Sequence, residues 1–195
     1  MKRTFEQKET VVYGGAFNPP TRAHEQILQA CVEYADEMHG DVWLLPSASR
    51  ADKEIDVSIA RRIALCEALS RDVIRGMVDV RVEDSELTRG VQTETYDTVQ
   101  EFAAQYPERH FSWVFGSDSV TTMSEWHGGV WMRDNLSMLV VDRPGYVLAG
   151  MGCNAVRLAV APMDTSSTEL RHRIAKGEDY RELVGDEVAQ VLASH

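Results

Sequence analysis

Apolar and polar positions alternate along the chain in two rhythms, short apolar runs and longer amphipathic stretches. Val11-Val12-Tyr13 is a brief apolar run closed by Gly14-Gly15 and then by Pro19-Pro20. Ile27, Leu28, Cys31, Val32, Ala35 and Met38 then recur at a 3.6-residue period, which predicts a helix opening close to His24. Asp41–Pro46 reads as a buried strand ended by proline, Ser58–Ser70 as a helix with Ile59, Ile63, Cys66 and Leu69 on one face, and Val78–Val82 as a strand. Gln92–Thr98 enters a helix running to about Gln105, and His110–Phe115 and Ser137–Val141 read as strands. Val156–Ala161 reads as the last strand, and a closing helix from about Arg181 to Ala193 carries Leu183, Val184, Val188, Val191 and Leu192. This alternation predicts an α/β fold with a doubly wound, mostly parallel sheet and right-handed crossovers.

Composition narrows the class. A chain of 195 residues, 44% hydrophobic and free of low-complexity tracts, suits a single domain over 1–195, with 1–9 as a polar N-terminal segment. That segment lacks the apolar core of a secretory signal, and no apolar run approaches transmembrane length, so no membrane association and a cytoplasmic location are expected. Cys31, Cys66 and Cys153 form no C-x-x-C pair, and buried free thiols in a reducing compartment are expected instead of a metal site. A net charge of −11 argues against a nucleic-acid partner.

Every candidate for chemistry follows a predicted strand, on the edge where doubly wound sheets bind ligands. Gly14 and Gly15 permit a sharp turn with uncovered N–H groups, and the helix start behind them favours an anion, with His24 in its first turn as a further donor. No P-loop lysine and no G-x-G-x-x-G is present. Gly116-Ser117-Asp118 follows a strand, where an aspartate can accept from ribose hydroxyls or simply cap the next helix. Ser166 and Glu169 have capping-box spacing, yet Ser167, Thr168 and Arg171 beside them are what a triphosphate tail requires. Lys53 lies in a polar loop, and Trp126 in a glycine-bounded one.

Gly14-Gly15-Ala16-Phe17-Asn18-Pro19-Pro20-Thr21-Arg22-Ala23-His24 resembles the G-G-x-F-[DN]-P-x-H-x-G-H motif of the nicotinate/nicotinamide mononucleotide adenylyltransferases, within the nucleotidyltransferase superfamily marked by [HT]-x-G-H. Thr21 stands where the first histidine is usual and Ala23 where glycine is usual. Thr95-Tyr96-Asp97-Thr98, Gly116-Ser117-Asp118, Asp142-Arg143-Pro144-Gly145 and Ser166-Ser167-Thr168 with Arg171 resemble further family segments in the same order, so the likeness spans nearly the whole chain. In the Pro-His-Lys segment the lysine is kept as Lys53 but Asp52 replaces the histidine.

The resemblance implies a Rossmann-like nucleotidyltransferase fold that transfers the adenylyl group of ATP to nicotinate (or nicotinamide) mononucleotide, with Mg²⁺ accompanying ATP. It implies His24 and Arg171 as catalytic groups, and Gly14, Gly15, Ala16, Phe17, Thr21, Lys53, Ser166, Ser167 and Thr168 around the phosphates. Gly116 and Asp118 fall to the ribose, and Asn18, Thr95 and Trp126 to the pyridine nucleotide. An indole face suits a flat, electron-poor ring, worth roughly 0.5–1.5 kcal/mol beyond its buried area. No enzyme nucleophile is evident, and none is required, because a phosphate monoester with a second pKa near ~6 is already nucleophilic at neutral pH. Two alternatives stand: another superfamily member such as a phosphopantetheine adenylyltransferase, which Thr21 suits, or a non-catalytic nucleotide-binding module, which Thr21, Ala23 and Asp52 favour. Oligomeric state, including a homo-oligomer, is left open.

Overall fold

Six strands form one parallel sheet in the order β3-β2-β1-β4-β5-β6 in the computed structural model, which describes residues 7–48, 57–89, 94–143, 154–161, 163 and 165–194. They are β1 (Lys8–Gly15), β2 (Asp41–Pro46), β3 (Val80–Val82), β4 (Arg109–Gly116), β5 (Ser137–Val141) and β6 (Ala155–Leu158). The helices are α1 (Arg22–Glu37), α2 (Ile59–Asp72), α3 (Ser85–Thr88), α4 (Thr95–Gln105), α5 (Ser117–Thr122), α6 (Gly129–Asn135), α7 (Ser167–Lys176) and α8 (Asp186–Ala193).

The central strands are covered on both faces, which is why their C-terminal halves are apolar; all six positions of β2 are buried. Alternate residues serve opposite cores. Val11, Tyr13, Val42, Leu44, Val114, Leu139 and Val141 pack toward α1, α2, α7 and α8 through Leu28, Leu65, Leu170 and Val188. Val12, Trp43, Leu45, Trp113, Phe115, Met138 and Val140 pack toward α4, α5 and α6 through Phe102, Val120 and Met132. This is the doubly wound α/β arrangement that the strand–helix alternation predicts.

The strand order reverses between β1 and β4, and there the sheet splits. Pairing of β1 with β4 ends at Val12↔Trp113, whereas β1 pairs with β2 as far as Gly15↔Pro46 and β4 with β5 as far as Gly116↔Val141. Tyr13–Gly15 and residues 114–116 therefore diverge, opening a crevice at the C-terminal edge, the usual ligand position in such sheets.

The opposite edge is closed by a buried polar network. Glu9, in the nominally polar N-terminal segment, is 1% exposed; its carboxylate lies 2.8 Å from His110 Nδ1 and accepts from Ser112 Oγ at 2.5 Å. Burial alone would raise the Asp41 carboxyl, but hydrogen bonds from Lys8, Arg109 and Thr10 outweigh it and hold it below the usual carboxylate value. Cys31 and Cys66 are buried free thiols, and burial raises both.

Several boundaries differ from the sequence reading. The closing helix is interrupted: a 3₁₀ turn at Arg181–Leu183 precedes α8, and Gly185 between them lies against Asp72 at the end of α2. The Asp72 carboxylate accepts from the N–H groups of Glu187 at 2.8 Å and Val188 at 3.2 Å, so the cap of α8 comes from α2. β6 ends at Leu158 instead of Ala161, and β3 begins at Val80. The short helices α3 and α6 follow from no periodicity in the chain and are held by tertiary contacts.

Candidate active site

The crevice at the split is a cavity of about 390 Å³, a size typical of small-ligand sites. Its floor is Tyr13, Gly14, Gly15 and Ala16 from the end of β1 and Val114, Phe115 and Gly116 from the end of β4. His24 enters from α1, Ser47 and Ala48 from the end of β2, Glu86 from α3, and Glu94 and Thr95 from the start of α4. Asp118, Ser119, Trp126 and Arg143 complete the wall.

The β1–α1 junction is built around Phe17, which is buried and at φ 42°. Its ring stands edge-on to Tyr13 at 5.2 Å and to His24 at 5.4 Å. A Cβ on Gly15 would come within 3.2 Å of that ring, so the glycine lets the loop close over Phe17. Arg62, itself buried, donates to the carbonyls of Ala16 at 2.9 Å and Ser47 at 2.5 Å, tying the β1 loop to the β2 loop. Ala16 therefore presents its backbone to the cavity, while the side chain of Phe17 lies beneath it.

Thr21 caps α1 and His24 is its third residue. The Thr21 N–H donates to His24 Nδ1 at 3.1 Å, with the Thr21 hydroxyl 2.9 Å from the same nitrogen. A backbone N–H can only donate, so Nδ1 is an acceptor and the ring proton sits on Nε2. Burial, helped by the nearby positive charge of Arg143, lowers the imidazole to about 4. His24 is thus a neutral donor at neutral pH. Thr21 is 1% exposed and lies behind His24, away from the cavity lining.

The second junction, Thr165 to Arg171, lies against the first. Ser167 Oγ donates to the Pro19 carbonyl at 2.9 Å, Arg171 Nη1 to the Asn18 carbonyl at 2.6 Å, and the Ala23 N–H to Thr165 Oγ1 at 3.2 Å. Ser166 caps α7 by accepting from the Glu169 N–H at 3.1 Å, while the Glu169 carboxylate turns to Arg173 at 2.8 Å, leaving the capping box half made. Thr168 Oγ1 accepts from Arg171 Nη2 at 3.1 Å. Ser166, Ser167, Thr168, Arg171 and Asn18 form a rim beside the cavity and do not line it.

Gly116 leads into α5, where Asp118 turns back toward the strand. A Cβ at Gly116 would fall 2.2 Å from Asp118 Oδ1, so only glycine admits this carboxylate. Trp126 packs its ring 6.3 Å from Phe115 and lines the cavity, ahead of α6. Thr95 is the first residue of α4; Glu94 and Asp97 close a capping box there, with Asp97 Oδ2 accepting from the Glu94 N–H at 3.1 Å. Lys53 and Asp52 lie outside the described residues.

Two cavity residues carry roles that sequence reading did not assign. Arg143 belongs to a recognised turn, but nothing local shows that it reaches the cavity. Glu86 sits on α3, an element without a sequence signal; Thr98 Oγ1 donates to it at 2.7 Å, and burial raises its carboxyl. Among the described residues no group of three or more His, Cys, Asp or Glu could hold a metal ion, and no helix is long and apolar enough to cross a membrane.

Residues 12–173 match the cytidylyltransferase-like family. A protein of Exiguobacterium sibiricum is 31% identical over 182 residues, covering 92% of this chain and 93% of its own length. One of Salinibacter ruber is 30% identical over 192 residues, covering 94% of each. Both are named probable nicotinate-nucleotide adenylyltransferases. The chain belongs to the nicotinate-nucleotide adenylyltransferase family, within the cytidylyltransferase-like group. Nicotinate-nucleotide adenylyltransferases have solved relatives with this fold. The nicotinic acid mononucleotide adenylyltransferase of Plasmodium falciparum, complexed with NaAD, superposes with a TM-score of 0.80 at 18% identity, covering 95% of both chains. The same enzyme complexed with APC gives 0.75 at 17% identity, covering 95% of this chain and 94% of its own.

Proposed function

We propose that the chain transfers the adenylyl group of ATP to nicotinate mononucleotide, or its nicotinamide counterpart, releasing pyrophosphate in NAD biosynthesis. The observation that carries the reading is the meeting of two strand-to-helix junctions, with Arg171 bonded to Asn18 O and Ser167 to Pro19 O beside a cavity that holds His24. One junction would grip the α-phosphate and the other the β- and γ-phosphates.

The mononucleotide phosphate attacks the α-phosphorus of ATP; a P–O bond forms there as the bond to pyrophosphate breaks. No protein nucleophile takes part. The protein's tasks are in-line positioning and stabilising the charge that builds on the α-phosphate. The neutral His24 donates its Nε2–H toward that phosphate, with Gly14, Gly15 and Ala16 offering a bare backbone beneath it. Thr21 acts through His24, fixing its tautomer, and the hydroxyls of Ser166, Ser167 and Thr168 with Arg171 guide the leaving pyrophosphate. Lys53 is assigned to phosphate on the family motif alone. Asp118 receives ribose hydroxyls beside Gly116, and the Trp126 face and the first turn of α4 at Thr95 meet the pyridine, with Asn18 closing that side.

Mg²⁺ would accompany ATP and would supply charge neutralisation on the triphosphate. The buried thiols suit a reducing, cytoplasmic setting.

Pyrophosphate release measured with ATP and each mononucleotide tests the reading. Turnover with a pyridine mononucleotide and none with phosphopantetheine is expected. Tight ATP binding without turnover on any acceptor would overturn it in favour of a non-catalytic binding module.

A further inference from the structure

Arg143 is the one lysine or arginine among the described residues that line the cavity. His24 is neutral at working pH, and the chain as a whole carries −11. Any phosphate entering the cavity therefore meets a single positive side chain on the described wall. The backbone of that residue is anchored: the Arg143 N–H donates to the fully buried Ser117 Oγ at 2.8 Å. Its side chain is half exposed, with Nε 3.9 Å from Asp118 Oδ1. This is an ion pair too long for a hydrogen bond.

Asp118 is as unsettled as its partner. Oδ1 is shielded from solvent and accepts no hydrogen bond among the described residues. A buried acceptor in that state is costly and is satisfied by any donor that enters. Gly116 makes the arrangement sterically open, because a Cβ there would lie 2.2 Å from Asp118 Oδ1 and 3.3 Å from Arg143 Nε. Both side chains thus share the space that a glycine leaves, and each keeps unused hydrogen-bonding capacity toward the cavity.

We infer that Arg143 is a nucleotide-binding cation held against Asp118 in the empty chain, and that a ribose hydroxyl arriving at Asp118 releases its guanidinium onto the nucleotide's phosphates. Sugar binding and phosphate binding are then coupled through one exchange. The anchored backbone fixes the pivot, so only the side chain moves. This rests on the nucleotide reading of the cavity, and it adds a residue and an order of events to that reading.

Two probes separate the parts, adenosine (sugar without phosphate) and ATP. In the wild-type chain, adenosine alone should shift the ¹⁵N resonance of Arg143 Nε. In Asp118→Asn that resonance should already be displaced before any ligand is added. Arg143→Ala should weaken ATP binding by at least tenfold while leaving adenosine affinity within twofold, and Arg143→Lys should recover part of the loss, since it restores charge but not the fork. An Arg143 Nε resonance that ignores adenosine, or an Arg143→Ala variant that loses ATP and adenosine equally, overturns the exchange. Failure of the wild-type chain to bind either probe would instead remove the nucleotide reading itself.

Discussion

Arg171 donates to the backbone carbonyl of Asn18 at 2.6 Å across a sequence separation of 153. With Ser167 on Pro19 and Thr165 on Ala23, it stitches the start of α7 to the start of α1. Helix starts present unpaired N–H groups and the positive end of a dipole, so bringing two together makes a local anion field in an acidic protein. The contact also leaves the Arg171 fork at the rim, with Nη1 on the loop carbonyl and Nη2 on Thr168 Oγ1.

Arg171 is exposed, so its replacement should spare the fold. Arg171→Ala is expected to lower kcat/KM for ATP by about 100-fold, the range of a lost charged contact in the transition state, with Tm shifted by no more than about 2 °C. Steady-state pyrophosphate release and a thermal melt check both halves. Unchanged kcat/KM would leave the arginine with only its loop-holding role.

His24 is expected to remain unprotonated well into acid, titrating near 4 in the folded chain against an ordinary 6.5. Because its folded value is depressed, the unfolded chain binds the extra proton between those limits. The contribution to stability is complete above 6.5 and is lost as pH falls toward 4, on the order of 3 kcal/mol in all. Proton NMR of the ring and urea melts at pH 4.5 and 7 measure this, with His24→Gln as the reference that lacks the slope. The same variant should lower kcat by about 100-fold or more.

Gly116→Ala should weaken nucleotide binding without unfolding the chain. The added methyl would lie 2.2 Å from Asp118 Oδ1, so the carboxylate must rotate out of the cavity. An at least tenfold rise in the ATP dissociation constant is expected by calorimetry.

Asp72→Ala tests the fold at a distance from the chemistry. It leaves the N–H groups of Glu187 and Val188 without their cap, at a cost of about 1–2 kcal/mol. Denaturant melts should show that loss while KM for ATP stays unchanged. Gly185→Ala, whose methyl would fall 2.1 Å from the Asp72 carboxylate, should act at the same place and add little to the first variant.

Trp126→Ala should raise KM for the pyridine mononucleotide by about 3–10-fold, with Trp126→Phe intermediate, because the stacking face is lost and the residual ring in phenylalanine is smaller. KM for ATP is expected to hold.

Much of this was legible along the chain because it is local. Strands buried on both faces must be apolar, helices on a sheet must repeat every 3.6 residues, and glycine, proline and capping residues mark the junctions between them. β2, α4 and β5 carry these signals within their own residues, and so do the glycines before α1 and the serine that caps α7. The motif alone points Thr21 at phosphate, yet it lies buried behind His24, its N–H donating to the ring's Nδ1.

What the chain order alone determined was the doubly wound class and the strand-to-helix junctions that put Gly14, His24 and Asp118 on the cavity wall. Tertiary structure decided the rest: the split of β1 from β4 beyond Val12 and Trp113, the seam between two distant helix starts, the arrival of Arg143 and Glu86 at the cavity, and the capping of α8 by Asp72. The division follows from range. Propensity and periodicity act over a few residues, whereas charge pairing, burial and steric room depend on which distant segments the packed sheet brings within a few ångströms.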